Sequence, residues 1–410
     1  MISKNKGQIV ACLDIGTTKL VCLIASINNK GITLLGYGYR ESRGIVSSAI
    51  SDMKLAQKAI TNVICDAERM AGINIDELII GLSGAETIAQ QKVGKIKIAG
   101  DMVKSSDISN LAHQIRLAYI KANREIVHLM PLQYRIDDSS PVQNPRYMSG
   151  KFLSAKFNIV SGSLGTVKNI ENCLKRCHLS VYNYICESYS SALCALSKNE
   201  LSLGTVLIDI GGKDASFCVL MDGKLVYTGN FGAGGLHITK DIASILNINF
   251  DTAETIKNLN NSLIISRIQE RENINLTSED FDIFDSKRIT KGMLRDIIKS
   301  RVEEILESVK KKLEKNGYGA AVISNVVLSG GSANIIGIDK LANKIFSKPV
   351  RIGYPAGINN IPEVFNDPSF CSAFGMLIFL KNVYSKDKVK NSFETKNGFF
   401  GKIIDKLMAI

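Results

Sequence analysis

Short apolar runs alternate with turns along this chain, and one such unit occurs twice. Near the N-terminus Val10-Ala-Cys-Leu leads into Asp14-Ile-Gly16, turns through Thr17 and Thr18, and returns from Lys19 as Leu-Val-Cys-Leu-Ile-Ala25. Flanks dense in Val, Ile, Leu and Cys predict two buried strands joined by a tight turn. Between Leu203 and Leu220 the pattern recurs: an apolar run ends in Asp209-Ile-Gly211-Gly212 and comes back as a strand. The surroundings repeat as well. After the first unit the pattern predicts a strand at 32–39, a helix at 51–72 and a strand at 77–83. After the second it predicts a strand at 224–231, a helix from near Leu236 and a strand at 325–330. Two copies of β-β-β-α-β imply two related halves, with a cleft between them.

The helix at 51–72 carries its apolar residues at Ala56, Ala59, Ile60, Val63, Ile64, Ala67 and Met70, with Ser51 as cap and Gly72 as stop. From 85 to 160 the core pattern lapses into a small α+β insert. It has a strand at 93–100, a helix from Ser106 to about Ala122, and an extended stretch around Pro131. A helix at 166–177, a strand at 181–185 and a helix at 188–197 then complete the first half, which comprises 1–84 and 161–198. The second half comprises 199–246 and 318–384. It is interrupted by a second insert, 247–317, whose long amphipathic helix runs from Lys291 to Lys315. Residues 385–397 are polar and aperiodic, as in a flexible linker. In 398–410 the residues Phe399, Phe400, Ile403, Ile404, Leu407 and Met408 fall on one helical stripe, with Lys402, Asp405 and Lys406 away from it. A core helix shares that pattern, but a stripe after a polar linker needs a partner of its own. It is shorter than the ~20 residues that span a bilayer, so it is expected to lie in a membrane interface.

Composition narrows the function classes. The formal charge is +12, but the cations are spread along the chain. The densest cluster, Lys310 to Lys315, sits among glutamates on a helix and reads as a solvated face; no nucleic-acid motif accompanies it. No apolar h-region precedes the first strand, so no signal peptide is expected. The nine cysteines lie mostly in apolar strands and helices, which is reduced, cytosolic usage. Cys173, Cys177 and His178 have metal-ligand character, yet i,i+4 on a helix face without a fourth ligand favours packing.

The chemistry concentrates in the duplicated turns. A carboxylate at a strand end beside glycine suits a hydrated divalent cation, and exposed turn N–H groups suit phosphate oxygens. Asp-x-Gly also occurs in ordinary hairpins. P-loops and dinucleotide-binding turns place their glycines between a strand and a helix, whereas each turn here runs into another strand.

Several motifs in one order resemble the actin, Hsp70 and sugar-kinase superfamily, and within it the bacterial cell-division FtsA family. Asp14-Ile-Gly-Thr-Thr-Lys19 resembles its first phosphate motif, Asp209-Ile-Gly-Gly212 the second, and Leu328-Ser-Gly-Gly331-Ser332-Ala333 the adenosine motif. Ala253-Glu254-Thr-Ile-Lys257 resembles the helix bordering the nucleoside, while Glu187 to Ala192 and Ser372 to Gly375 fall where two connecting helices belong. His128, Pro131, Tyr134, Ile136, Asp137, Pro145, Met148 and Gly150 match the family's relocated subdomain.

The resemblance implies an α/β, actin-like fold: two duplicated ribonuclease-H-like halves around a nucleotide cleft, each with an inserted subdomain, plus a C-terminal amphipathic helix. It implies ATP with Mg²⁺, bound by Asp14, Gly16, Thr17, Thr18, Lys19, Asp209, Gly211, Gly212, Gly234, Gly235, Glu254, Lys257, Gly330, Gly331 and Ser332. Asp14 and Asp209 would hold the cation through water. It further implies self-assembly into filaments and contacts between the insert at 85–160 and later division proteins. Arg301 would meet the FtsZ C-terminal tail. The tail of this chain would tether it to the anionic cytoplasmic face of the cell membrane at the septum. Two places depart from the family pattern: Ser300 replaces a proline, and Lys213-Asp214-Ala215 replaces Gly-Thr-Thr. The second change removes hydroxyls from the phosphate cradle, which predicts ATP binding with slow or absent hydrolysis. Alternatives are a small-molecule kinase of the same superfamily, which would turn over on the order of 1–100 s⁻¹, and a PilM-like pilus-assembly relative. An Hsp70-like chaperone would need a long peptide-binding region after the nucleotide domain.

Overall fold

The computed structural model describes residues 7–119, 123–274 and 289–391. The first half contains strands β1 (Gln8–Ile15), β2 (Lys19–Asn28) and β3 (Gly31–Glu41), the short hairpin β4 (Ile45–Val46) and β5 (Ala49–Ile50), helix α1 (Met53–Ala71) and strand β6 (Glu77–Leu82). The insert follows with β7 (Thr87–Lys97), α2 (Ser105–Tyr119), β8 (Arg124–Ile136) and β9 (Phe152–Ser163). Helix α3 (Leu164–Arg176) and strand β10 (Ser180–Cys186) return to the first half, and α4 (Glu187–Ala195) and α5 (Lys198–Ser202) lead out of it. The second half has β11 (Thr205–Ile210), β12 (Ala215–Met221), β13 (Lys224–Phe231), α6 (Gly235–Leu246), α7 (Phe250–Leu259), α8 (Lys291–Lys315), β14 (Asn325–Ser329), α9 (Ile338–Phe346), β15 (Val350–Ile352) and α10 (Cys371–Asn391).

The two halves share one topology. The first sheet runs β3-β2-β1-β6-β10 and the second β13-β12-β11-β14-β15. In each, the first three strands form antiparallel pairs and the last two join in parallel. The inner strands β1, β6, β11 and β14 are buried almost throughout, as strands covered on both faces must be. One core joins the first sheet to α1, α3, α4 and α10 and reaches one face of the second sheet through Leu207, Cys218 and Val327. The other face of that sheet packs on α6, α7, α8 and α9. Helix α8, read from the sequence as part of a second insert, therefore shares the core of the second half: Ile298, Val302, Ile305, Leu306, Val309 and Leu313 are all buried there.

The insert is a three-stranded antiparallel sheet, β7-β9-β8, covered by α2 around its own small core. Its strands are longer than periodicity indicates, and β9 was not expected. Register shifts at Ile126/His128 and Pro131/Gln133 let Pro131, which has no N–H to donate, sit inside β8. Other boundaries also move. The cap of α1 is Asp52 rather than Ser51, because its carboxylate accepts the N–H groups of Lys54 and Leu55. Helix α10 continues to Asn391, into the stretch read as a linker. The amphipathic stripe at 398–410 lies outside the described residues.

Buried His128 ties the insert to the start of α4. Its Nε2 accepts the N–H of Cys186 at 3.1 Å, and its ring meets Tyr189 and Phe379 edge-on. Burial pushes its pKa down from 6.5 to about 3. The unfolded chain takes up that proton near the ordinary value and the folded chain only near the lowered one, so stability drains away as pH falls between them. We predict that thermal melts between about pH 7 and about pH 5 fall further for the wild type than for His128→Gln, which keeps an acceptor but cannot protonate.

Candidate nucleotide cleft

The two Asp-Ile-Gly turns are built alike. Gly16 N–H donates to Lys19 O at 3.1 Å and Gly211 N–H to Asp214 O at 3.0 Å, each closing a hairpin whose strands pair up to Ile15–Leu20 and Ile210–Ala215. They also touch. A Cβ on Gly212 would lie 2.7 Å from Cγ2 of Thr18, so only glycine lets the second turn approach the first. Behind the second turn α6 begins, with Gly235 N–H donating to Gly211 O and Leu236 N–H to Gly212 O.

Between the turns lies a cleft of about 500 Å³, within the size range of ordinary ligand sites. Asp14, Gly16, Thr17, Thr18, Lys19, Asp209, Gly211, Gly212, Gly235, Glu254, Lys257, Gly330, Gly331 and Ser332 all line it, from five separate stretches of chain. Gly234 does not. It stands one layer back, where a Cβ would meet Gly211 O at 2.4 Å, and serves the turn rather than the cavity. Lys213, the basic residue of the second turn, is exposed and outside the lining.

The cleft is crowded with buried carboxylates. Asp14 is pushed up to about 7, chiefly by burial, with Asp209 adding to the shift and Lys19 opposing it. Asp209 is raised to about 6 by burial, against a 2.6 Å hydrogen bond from Ser191 of α4. Glu187, the first residue of α4, is raised by burial and by Asp14, Asp214 and Asp209 around it. Lys19 is lowered to about 8 by burial. Its ammonium donates to Ser369 and lies 3.5 Å from the centroid of the Phe370 ring. One lysine cannot neutralise this many acids, so a divalent cation is the natural complement. Among the described residues no three His, Cys, Asp or Glu side chains converge as direct metal ligands.

At the far end, Lys257 is buried and donates to Glu254 at 2.6 Å, to Thr239 at 2.8 Å and to Gly235 O at 3.3 Å. This fixes Glu254 toward the cavity. Sequence reasoning did not single out Ser47, Ser48 and Ser83 for this site. Ser47 and Ser48 form the β4–β5 turn with positive φ of 47° and 62°, a conformation usually given to Asn-Gly. Ser47 N–H donates to Thr17 Oγ1, and Ser48 Oγ donates to Glu187. The paired serines lacked the usual turn signature, so only the fold brings them here.

One other expected site lies elsewhere. Arg301 is half-buried on α8 and clamps Asp241 with two hydrogen bonds of 2.6 and 2.8 Å, while its third nitrogen meets Glu304. The Cys177 thiol contacts Cys173 O and Thr61 Oγ1 in ordinary helix packing.

Comparison with known proteins settles the lineage. The family model "Cell division protein FtsA" matches residues 206–375, and the model "SHS2 domain inserted in FTSA" matches 84–161. The cell division protein FtsA of Agrobacterium fabrum (strain C58) is 30% identical over 390 residues, 92% of this chain and 88% of that one. That of Borreliella burgdorferi is 30% identical over 408 residues, 96% and 98% of the two chains. The chain belongs to the FtsA family. Its actin-like fold resembles solved structures of low identity over most of the chain. One is a PilM–PilN type IV pilus biogenesis complex (TM-score 0.64, 14% identity, covering 90% of this chain and 97% of that one). Another is MreB 5 of Spiroplasma citri bound to AMPPNP (TM-score 0.57, 18% identity, 95% and 100% covered). The FtsA insert model coincides with the β7-α2-β8-β9 unit.

Gly330 is a sensitive point of this cleft. Its φ is +84°, and a Cβ there would stand 2.5 Å from Oδ1 of Asp209. Gly330→Ala is expected to cost about 1–3 kcal/mol of stability. It should also displace Asp209 and weaken Mg²⁺-dependent nucleotide binding, both measurable by thermal unfolding and titration calorimetry.

Proposed function

We propose that this FtsA-family protein binds Mg·ATP between its halves and polymerises through them. It then anchors the FtsZ ring to the cytoplasmic face of the cell membrane at the septum and recruits later division proteins. The observation that supports this best is the meeting of two identical Asp-Ile-Gly hairpins across one acidic cleft. Thr17, Thr18 and Lys19 would hold phosphate oxygens from one side and the N–H groups of Gly211 and Gly212 from the other. Asp14 and Asp209 would order the water shell of Mg²⁺. Glu254, Lys257, Gly331 and Ser332 would border the nucleoside. Bound ATP neutralised by Mg²⁺ would fix the angle between the halves and so the competence to assemble. The cation supplies charge neutralisation; the loss of turn hydroxyls at Lys213-Asp214-Ala215 keeps hydrolysis slow or absent. Asp209→Ala should weaken ATP binding in Mg²⁺ far more than in EDTA. Equal affinity of mutant and wild type in Mg²⁺ would remove Asp209 from the cation's shell.

Arg301 enters this reading as the contact for an acidic FtsZ tail. Because Asp241 and Glu304 already satisfy its guanidinium, such a tail would exchange with half-exposed Glu304 rather than fill a vacancy. Among the described residues no helix is long and apolar enough to cross a membrane. The tether is assigned to Phe399, Phe400, Ile403, Ile404, Leu407 and Met408. Six apolar groups at roughly 1.5–3 kcal/mol each bound the gross gain at about 9–18 kcal/mol. Partial insertion and the ordering of a short helix remove most of that. One tail then binds reversibly, and a filament binds firmly by avidity. Phe400→Glu with Ile404→Glu should release the protein from anionic vesicles in sedimentation, with and without ATP and an FtsZ tail peptide. Undiminished co-sedimentation would exclude the tail as anchor.

A further inference from the structure

The two cleft hairpins match in backbone but not in charge. Aligning them by their closing hydrogen bonds puts Asp214 at the place that Lys19 holds in the first turn. Each of these residues crosses the cleft. Lys19 reaches Ser369, and Asp214 reaches the opposite way, into the first half. Its Oδ2 accepts from Ser83 Oγ at 2.8 Å and its Oδ1 from Ser47 Oγ at 3.4 Å. Ser47 is itself held by Thr17 of the first turn. Ser83 is buried, and the next residue is pressed onto the second half: a Cβ on Gly84 would lie 2.4 Å from Cβ of Ser216 on β12. Strand β7 starts at Thr87, so this carboxylate grips the segment from which the insert springs.

We infer that Asp214 is a cation-dependent latch of the cleft, which holds Ser83 and Ser47 across the two halves and lets go of them when a divalent cation enters with a polyphosphate. This rests on the nucleotide-binding reading above. Hydrogen bonds from neutral hydroxyls to a carboxylate are firm but are outcompeted by a dication a few ångströms away. Without the cation, the same carboxylate repels the phosphates and the cleft stays latched. With it, Asp214 joins Asp14 and Asp209 around the water shell, and the root of the insert is freed. The chain thereby acquires a switch at a position where the family resemblance implies a hydroxyl.

The test compares ATP affinity in Mg²⁺ and in EDTA by titration calorimetry for the wild type, Asp214→Asn and Ser83→Ala. It is paired with amide hydrogen exchange of the 83–86 segment. Asparagine has the same shape and still accepts from Ser83, so the fold is preserved. Removing the like charge should raise affinity in EDTA by about tenfold and lower the Mg²⁺/EDTA ratio by at least that factor. Ser83→Ala removes a bond that Mg·ATP must otherwise break, so it should raise affinity in Mg²⁺ about fivefold, leave that in EDTA within about twofold, and speed exchange at 84–86 in the absence of nucleotide. Mg·ATP should speed exchange of 83–86 in the wild type. An unchanged ratio for Asp214→Asn, or a segment equally protected with and without Mg·ATP, overturns the latch. If wild type binds ATP in Mg²⁺ under those results, the latch alone falls. If wild type binds no ATP at all, the nucleotide reading falls with it.

Discussion

The arrangement of the cleft depends on the crossing of α4 and α10. A Cβ on Gly375 of α10 would stand 1.8 Å from Ser190 O of α4, so the two backbones are in direct contact. Ser190 Oγ donates to Ser372 O at 2.7 Å across the same crossing. Only small residues permit this approach. Once it is made, neighbouring residues on α4 are aimed without further choice. Ser191 donates to Asp209, and Glu187 enters the cavity from the helix start. One steric constraint thus places an acid and a hydroxyl on the floor of the site.

Electrostatics then sets what the cleft accepts. Burial raises Asp14, Asp209 and Glu187 together; Asp209 adds to the shift of Asp14, Asp214 to that of Asp209, and all three aspartates to that of Glu187. A folded core ordinarily avoids such crowding. It is tolerated at sites that are completed by a ligand, where local strain and unfavourable charge are part of the task. The positive φ at Ser47 and Ser48 belongs to the same pattern.

The insert contributes a second connection between the halves. Rooted in the first half, it reaches the edge strand β13 of the second. Asn158 donates to Leu225 O at 2.8 Å, Gln91 to Val226 O at 3.1 Å, and Lys224 returns a bond to Leu132 O at 2.6 Å. These contacts blunt an edge that would otherwise offer unpaired carbonyls. They also mean that a change of angle between the halves is felt by the insert. Among the described residues Asn158 Oδ1 is buried without a hydrogen-bond partner at this junction, which costs stability.

Much of this was legible in the chain itself. The duplicated Asp-Ile-Gly turns, the apolar periodicity of α1 and α8, and the lapse of core pattern over the insert are local features, and local features persist in the sequence. Asp14, Gly16, Thr17, Thr18, Lys19, Asp209, Gly211 and Gly212 were found this way because both turns carry their chemistry on adjacent positions, whereas Gly235, Glu254, Lys257, Gly330, Gly331 and Ser332 were implied only by the family resemblance. What the tertiary structure alone decided is whatever depends on distant segments meeting. Ser47, Ser48 and Ser83 are unremarkable serines until the second hairpin faces them. Asp214 reads as a departure from a motif until Ser83, 131 positions away, supplies its partner. Arg301 looks like a free surface cation until α6 brings Asp241 alongside. Strand β9 escaped detection because its partners β7 and β8 define it, and α8 joined the second core because its apolar stripe had a sheet to cover. Periodicity records which face of an element is buried; it does not record what is buried against it, and the chemistry of this cleft resides in that pairing.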